Sequence, residues 1–144
     1  MQAGNHIAVF LASMVLLGIP FRWHGEAAAE AQGPGAVENL SPKEAAALIR
    51  ENGSRRDFVL LDVRTPQEYR DGRIAGAVLV DYTSGSFKEE MGGLDRGKTY
   101  LVYCRTGNRS GKAAAIMKEM QFKKVLHLSG GITKWKEEGL PTVR

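Results

Sequence analysis

Apolar positions along this chain recur with two different periods, and the switches between them mark out its elements. Phe58-Val59-Leu60-Leu61-Asp62-Val63, Thr99-Tyr100-Leu101-Val102-Tyr103 and Lys124-Val125-Leu126-His127-Leu128 are nearly continuous apolar runs. Such runs suit strands covered on both faces, as in a parallel sheet. Ala77-Val78-Leu79-Val80 predicts one more short strand. The segments between them read as helices. Ser41-Pro42-Lys43-Glu44 is a capping box with proline in the first turn; Ala45, Ala46, Leu48 and Ile49 supply the apolar face, and Gly53 stops the helix. Thr65-Pro66-Gln67-Glu68 is a second capping box, opening a short helix through about Arg70. Ser84 to Met91 is predicted helical up to Gly92-Gly93. Ser110 to Met120 is helical with Ala113, Ala114, Met117 and Met120 apolar, and Ile132 to Glu138 forms the last helix. This alternation predicts an α/β domain, a mainly parallel central sheet with helices in layers on either side. Sites in such sheets lie at the carboxyl ends of strands. Asp62 and Cys104 both end strands and are expected in one crevice.

The first thirty residues do not fit that pattern. Ile7 to Phe21 is an uncharged apolar run, shorter than the roughly 20 residues that span a bilayer. Ala29-Glu30-Ala31 follows as a candidate cleavage site, with Ala27-Ala28-Ala29 as a second. Residues 1–31 are therefore read as a secretory signal peptide, 32–39 as a linker and 40–144 as the domain. The expected location is periplasmic or secreted, with no stable membrane insertion after cleavage. The n-region departs from the pattern by lacking Lys and Arg, and an uncleaved anchor or a buried helix is the alternative. The net charge is +4. Its short clusters, Arg55-Arg56 and Lys123-Lys124, have no aromatic interleaving, so no nucleic-acid partner is expected; small anionic substrates fit the sign. No metal set, dinucleotide fingerprint or P-loop is present, and no cofactor is expected. His127 is read as a core or edge residue of its strand.

Chemistry concentrates at the only cysteine, in Tyr103-Cys104-Arg105-Thr106-Gly107-Asn108-Arg109-Ser110-Gly111. A thiol between a strand end and a helix start, flanked by two arginines, is favoured as thiolate, the nucleophilic form. Gly107 lets the loop turn with positive φ. The backbone N–H groups of Arg105, Thr106, Gly107, Asn108, Arg109 and Ser110 can form an anion-binding nest. Ser110 is expected to cap the helix and point its hydroxyl inward. Arg105 and Arg109 are candidates to hold an oxyanion. Asp62 and Arg64 are supporting candidates, read as scaffolding, with Arg64 pairing with Glu68. Cysteine phosphatases of the tyrosine-phosphatase type use Cys-x5-Arg, a loop sized for phosphate. Cys104 to Arg109 is Cys-x4-Arg, one residue shorter, and a smaller cradle suits a single extra sulfur.

Three blocks in order resemble the rhodanese family of thiosulfate sulfurtransferases, over about residues 38–144. They are Asp62-Val63-Arg64-Thr65-Pro66-Gln67-Glu68-Tyr69 with Gly72-Arg73-Ile74-Ala75-Gly76-Ala77, the six-residue loop from Cys104, and Ser129-Gly130-Gly131-Ile132-Thr133-Lys134-Trp135 with Gly139-Leu140-Pro141. Arg73 stands where the family usually has His, a position read as structural. The resemblance implies a rhodanese-like three-layer fold and double displacement through a Cys104 persulfide. Arg105 would steer the anionic end of thiosulfate, and cyanide, a thiol or a thiol protein would accept the sulfur. It implies a small exported enzyme, taken as a monomer. A phosphatase or arsenate reductase-like enzyme, or a non-catalytic sulfur-relay module, are the competing functions.

Overall fold

A computed structural model describes residues 37–144; the expected signal peptide and the start of the expected linker lie outside the described residues. The elements are β1 (Val37–Leu40), α1 (Pro42–Asn52), β2 (Phe58–Asp62), α2 (Pro66–Asp71), β3 (Val78–Leu79), α3 (Phe87–Gly92), β4 (Thr99–Tyr103), α4 (Asn108–Glu119), β5 (Lys124–Leu128) and α5 (Gly131–Glu137). The strands form one parallel sheet in the order β1-β5-β4-β2-β3. Both expected capping boxes are formed, Ser41 with Glu44 and Thr65 with Glu68.

Strand periodicity divides the core into two layers. Tyr100, Val102 and Cys104 pack with Val125 against Ala113, Ala114 and Met117 of α4 and Phe87 and Met91 of α3. Leu101 and Tyr103 point the other way, with Leu126 and Leu128, against Ala45 of α1 and Ile132 and Trp135 of α5. The helices therefore cover both faces, which is why the central strands read as continuous apolar runs. Trp135 is in the core, and its indole N–H donates to the Pro141 carbonyl at 2.9 Å.

Two expectations need correction. Val37–Asn39, read as the end of a linker, belongs to β1, which pairs with β5 from Val37 opposite Val125 to Leu40 opposite Leu128. This edge strand is short and its Glu38 and Asn39 are exposed, so no apolar run announces it. The helix after Cys104 begins at Asn108, with Gly107 as its N-cap at φ 103°, so Ser110 sits inside the first turn. Other boundaries moved by a few residues: α3 begins at Phe87, after turns at Ser84 to Ser86.

The β5–α5 turn fixes the position of the loop after β4. Gly131 has φ 59°, and a Cβ there would lie 2.5 Å from the carbonyl oxygens of both Cys104 and Arg105. This approach lets the N–H groups of Ile132 and Thr133 bond those carbonyls at 2.9 and 3.0 Å. Gly131→Ala is expected to lower the unfolding free energy by about 2–4 kcal/mol, through left-handed strain plus overlap with backbone. Urea unfolding checks this; an unchanged midpoint would contradict the close approach.

Candidate active site

The loop begins where β4 runs out. Cys104 follows the last residue of the strand on its α4 face and is 1% exposed. A buried thiol resists ionisation unless donors converge on it. Here they do: the Gly107 N–H donates to Sγ at 3.1 Å and the Ser110 hydroxyl at 3.3 Å. Burial is the largest single influence on the thiol and pushes its pKa up. The Ser110 hydroxyl, then the backbone N–H groups of Ser110, Gly107 and Thr106, outweigh it and hold the thiol below its ordinary value. On the other side of the loop, the Ile132 and Thr133 N–H groups of α5 bond the carbonyls of Cys104 and Arg105.

Matching the chain to family models finds the rhodanese-like domain over residues 41–138. The chain belongs to the rhodanese-like domain family. A sulfurtransferase of Allochromatium vinosum is 32% identical over 96 residues, 67% of this chain and 88% of that protein. A Mycobacterium tuberculosis protein named probable adenylyltransferase/sulfurtransferase MoeZ is 36% identical over 88 residues, 61% of this chain; the match spans only 22% of that longer protein. The crystal structure of a rhodanese-related protein from Thermoplasma volcanium superposes with a TM-score of 0.64 at 29% identity, covering 74% of this chain and 97% of that one. The α/β fold expected from the sequence is thus the rhodanese-like fold, and the family is one of sulfurtransferases.

Within this rhodanese loop the predicted residues separate into different places. Arg105, Thr106 and Asn108 form an exposed rim, while Ser110 is fully buried beneath it. Arg105 also lines a pocket of about 210 Å³ with Thr133 and Lys136 of α5 and Glu68 and Asp71 of α2. Arg109, expected to face an anion, instead donates from both terminal nitrogens to Glu68, at 2.7 and 2.8 Å. The clamp ties the start of α4 to the capped start of α2 across 41 residues of chain. Lowering of the thiol therefore comes from hydrogen bonds first, not from the two guanidinium groups invoked for it.

Asp62 and Arg64 form a scaffold, as anticipated, but with each other rather than through Glu68. The Arg64 guanidinium bonds both Asp62 oxygens, at 2.7 to 3.1 Å, and the Gly72 carbonyl at 2.7 Å. Both residues are buried. The pair lies beside Tyr103, with the Arg64 guanidinium carbon 5.6 Å from that ring's centre. Arg73 is structural too: it exchanges backbone hydrogen bonds with Val143 at 2.8 Å, and its guanidinium lies over the Tyr69 ring.

Three residues at the site escaped the sequence reading in this role. Glu68 was visible as a capping residue and as a partner for Arg64, and it holds Arg109 instead. His127 and Asn39 lie on the α4 face of β5 and β1, paired in register with one another. The His127 ring reaches the Ser110 hydroxyl at 2.8 Å. The signal for both was parity: each is an even number of positions from Val125 or Val37, residues packed on that face.

The Glu68–Arg109 clamp predicts an acid window. The Arg109 bonds come first among the causes holding the Glu68 carboxyl down to about 2 from an ordinary 4.5. A carboxylate depressed by folding stabilises the fold above its unfolded pKa, and that contribution is lost as pH falls through its folded value. Glu68→Gln keeps a cap but removes the charge. The stability gap between wild type and this variant should be constant near neutrality and close between about pH 4.5 and pH 2. Urea midpoints across that range check it; a gap that persists at pH 2 would contradict the clamp.

Proposed function

We propose that the protein moves a sulfane sulfur from an anionic donor such as thiosulfate to cyanide or a thiol, through a persulfide on Cys104. The Cys104 thiolate attacks the outer sulfur of thiosulfate; the sulfur–sulfur bond breaks and sulfite leaves with its electron pair. The enzyme then carries Cys–S–S⁻. The acceptor attacks the outer sulfur, and the Cys104 thiolate is the leaving group. This is covalent nucleophilic catalysis with ping-pong kinetics.

The observation that carries this reading is the state of Arg109. A phosphate loop needs its arginine to hold phosphate oxygens bidentately. Both terminal nitrogens of Arg109 are committed to Glu68. What faces Sγ is a tight set of N–H donors and one hydroxyl. That set favours a single sulfur anion over a tetrahedral oxyanion. Arg105, exposed at the rim beside Cys104, supplies positive charge for the donor's sulfonate end, while in the pocket beyond it Lys136 stands with the carboxylate of Asp71. The apolar run Ile7 to Phe21, followed by small residues, supports export to the periplasm or beyond, where the enzyme would act as a monomer.

The test is steady-state thiocyanate formation from thiosulfate and cyanide. Parallel double-reciprocal lines are expected, with no turnover of an aryl phosphate. Arg105→Ala should raise the thiosulfate KM by about tenfold, the loss of one charge-assisted contact. Turnover of the aryl phosphate without thiocyanate would replace this reading with the phosphatase one.

A further inference from the structure

Strand parity brings a second chemical group to the buried side of Cys104. Just past β4, and on β5 and β1, the residues facing α4 include Cys104, His127 and Asn39; Val102 and Asn39 are the register neighbours of His127. The imidazole is half-buried. Its Nδ1 faces Asn39 Oδ1 at 2.8 Å, and its Nε2 faces Ser110 Oγ at 2.8 Å and the Gly107 carbonyl at 3.2 Å. Ser110 in turn donates to Cys104 Sγ at 3.3 Å. Two carbonyl oxygens can only accept. Once Ser110 gives its proton to sulfur, its oxygen accepts as well. Every partner of the ring is then an acceptor, and a ring with both nitrogens protonated satisfies them all.

We propose that Asn39, His127 and Ser110 form a proton relay that takes the proton from the Cys104 thiol, leaving Cys104 as thiolate and His127 as imidazolium. The step balances. The thiol proton passes to Ser110 Oγ as the Ser110 proton passes to His127 Nε2; the S–H electron pair stays on sulfur. Nδ1–H remains bonded to Asn39 Oδ1 throughout, fixing the tautomer whose Nε2 lone pair receives the proton. When a thiol acceptor attacks the persulfide, the stored proton is available to the departing sulfur by the reverse path.

The surroundings of the ring suit this role. The groups facing it are Asn39 from β1, Val102 from β4, and Gly107, Ser110 and Gly111 from α4 and its cap. None carries a charge, and Cys104 is the titratable group the hydrogen bonds lead to. Burial holds the imidazole pKa down, while the Gly107 carbonyl favours its protonated form. The sulfur anion that would favour the charged ring lies two hydrogen bonds away, through the Ser110 hydroxyl. His127 does not touch the reacting sulfur; it is a positioning residue that acts through Ser110.

This inference deepens the persulfide reading by assigning the proton of the same thiol, and its test uses no sulfur donor, so either can fail alone. The full chain is titrated by NMR, following the His127 ring signals in wild type and in Cys104→Ser. Loss of the thiolate should lower the His127 pKa by about one unit or more, as for coupled sites. Linkage requires the reciprocal shift: in His127→Phe, the pH profile of iodoacetamide alkylation should place the Cys104 pKa higher by the same amount. A His127 titration identical in wild type and Cys104→Ser overturns the relay, as does an unshifted alkylation profile in His127→Phe. Should His127→Phe not fold, the NMR comparison decides alone, because it leaves the imidazole in place.

Discussion

A sulfur anion at a buried position depends on donors that converge on it before it forms. Cys104 is almost fully buried, and in an apolar setting its thiol would stay protonated and inert. The loop reverses this by turning backbone N–H groups and the Ser110 hydroxyl toward Sγ. The carbonyls of Cys104 and Arg105 are satisfied by the Ile132 and Thr133 N–H groups of α5 through the close approach at Gly131. The Glu68–Arg109 clamp then ties the start of α4 to α2. The β5–α5 turn thus holds the carbonyls at the start of the loop while the Gly107 N–H and the Ser110 hydroxyl face Sγ. Burial opposes ionisation of the thiol, and the converging donors outweigh it.

Much of the fold was legible because its signals are local. The apolar runs gave β4 and β5 with their observed bounds, and β2 within one residue. Two capping boxes marked α1 and α2 because Ser41 and Thr65 each stand three residues before a glutamate. The parallel sheet followed from strands with no polar face. β1 was hidden for the opposite reason. Val37–Leu40 is short, polar at two positions and stable only because β5 offers it an edge. That pairing lies some ninety residues away, and no local pattern reports it.

The site was legible in its residue types more than in its pairings. Cys104, the loop glycine and the inward hydroxyl of Ser110 are where the motif puts them. The sequence offered Glu68 to Arg64 because they lie four apart; the fold gives Arg64 to Asp62 and Glu68 to Arg109. Sequence proximity cannot rank such choices: Asp62 and Glu68 are both near Arg64 in the chain, and 41 residues with two strands separate Glu68 from Arg109. Ser110 was placed at the N-cap because serine prefers that position. Gly107 in a left-handed conformation takes it instead, and frees Ser110 to link Cys104 to His127.

The central claim is that Cys104 carries sulfur as a covalent persulfide. The most direct measurement is the intact mass of the purified protein after mixing with thiosulfate, beside Cys104→Ser. The wild type should gain one sulfur atom, removed by cyanide and absent in the variant, as expected of a covalent nucleophile. A wild-type mass unchanged by thiosulfate, or an equal gain in Cys104→Ser, would contradict it.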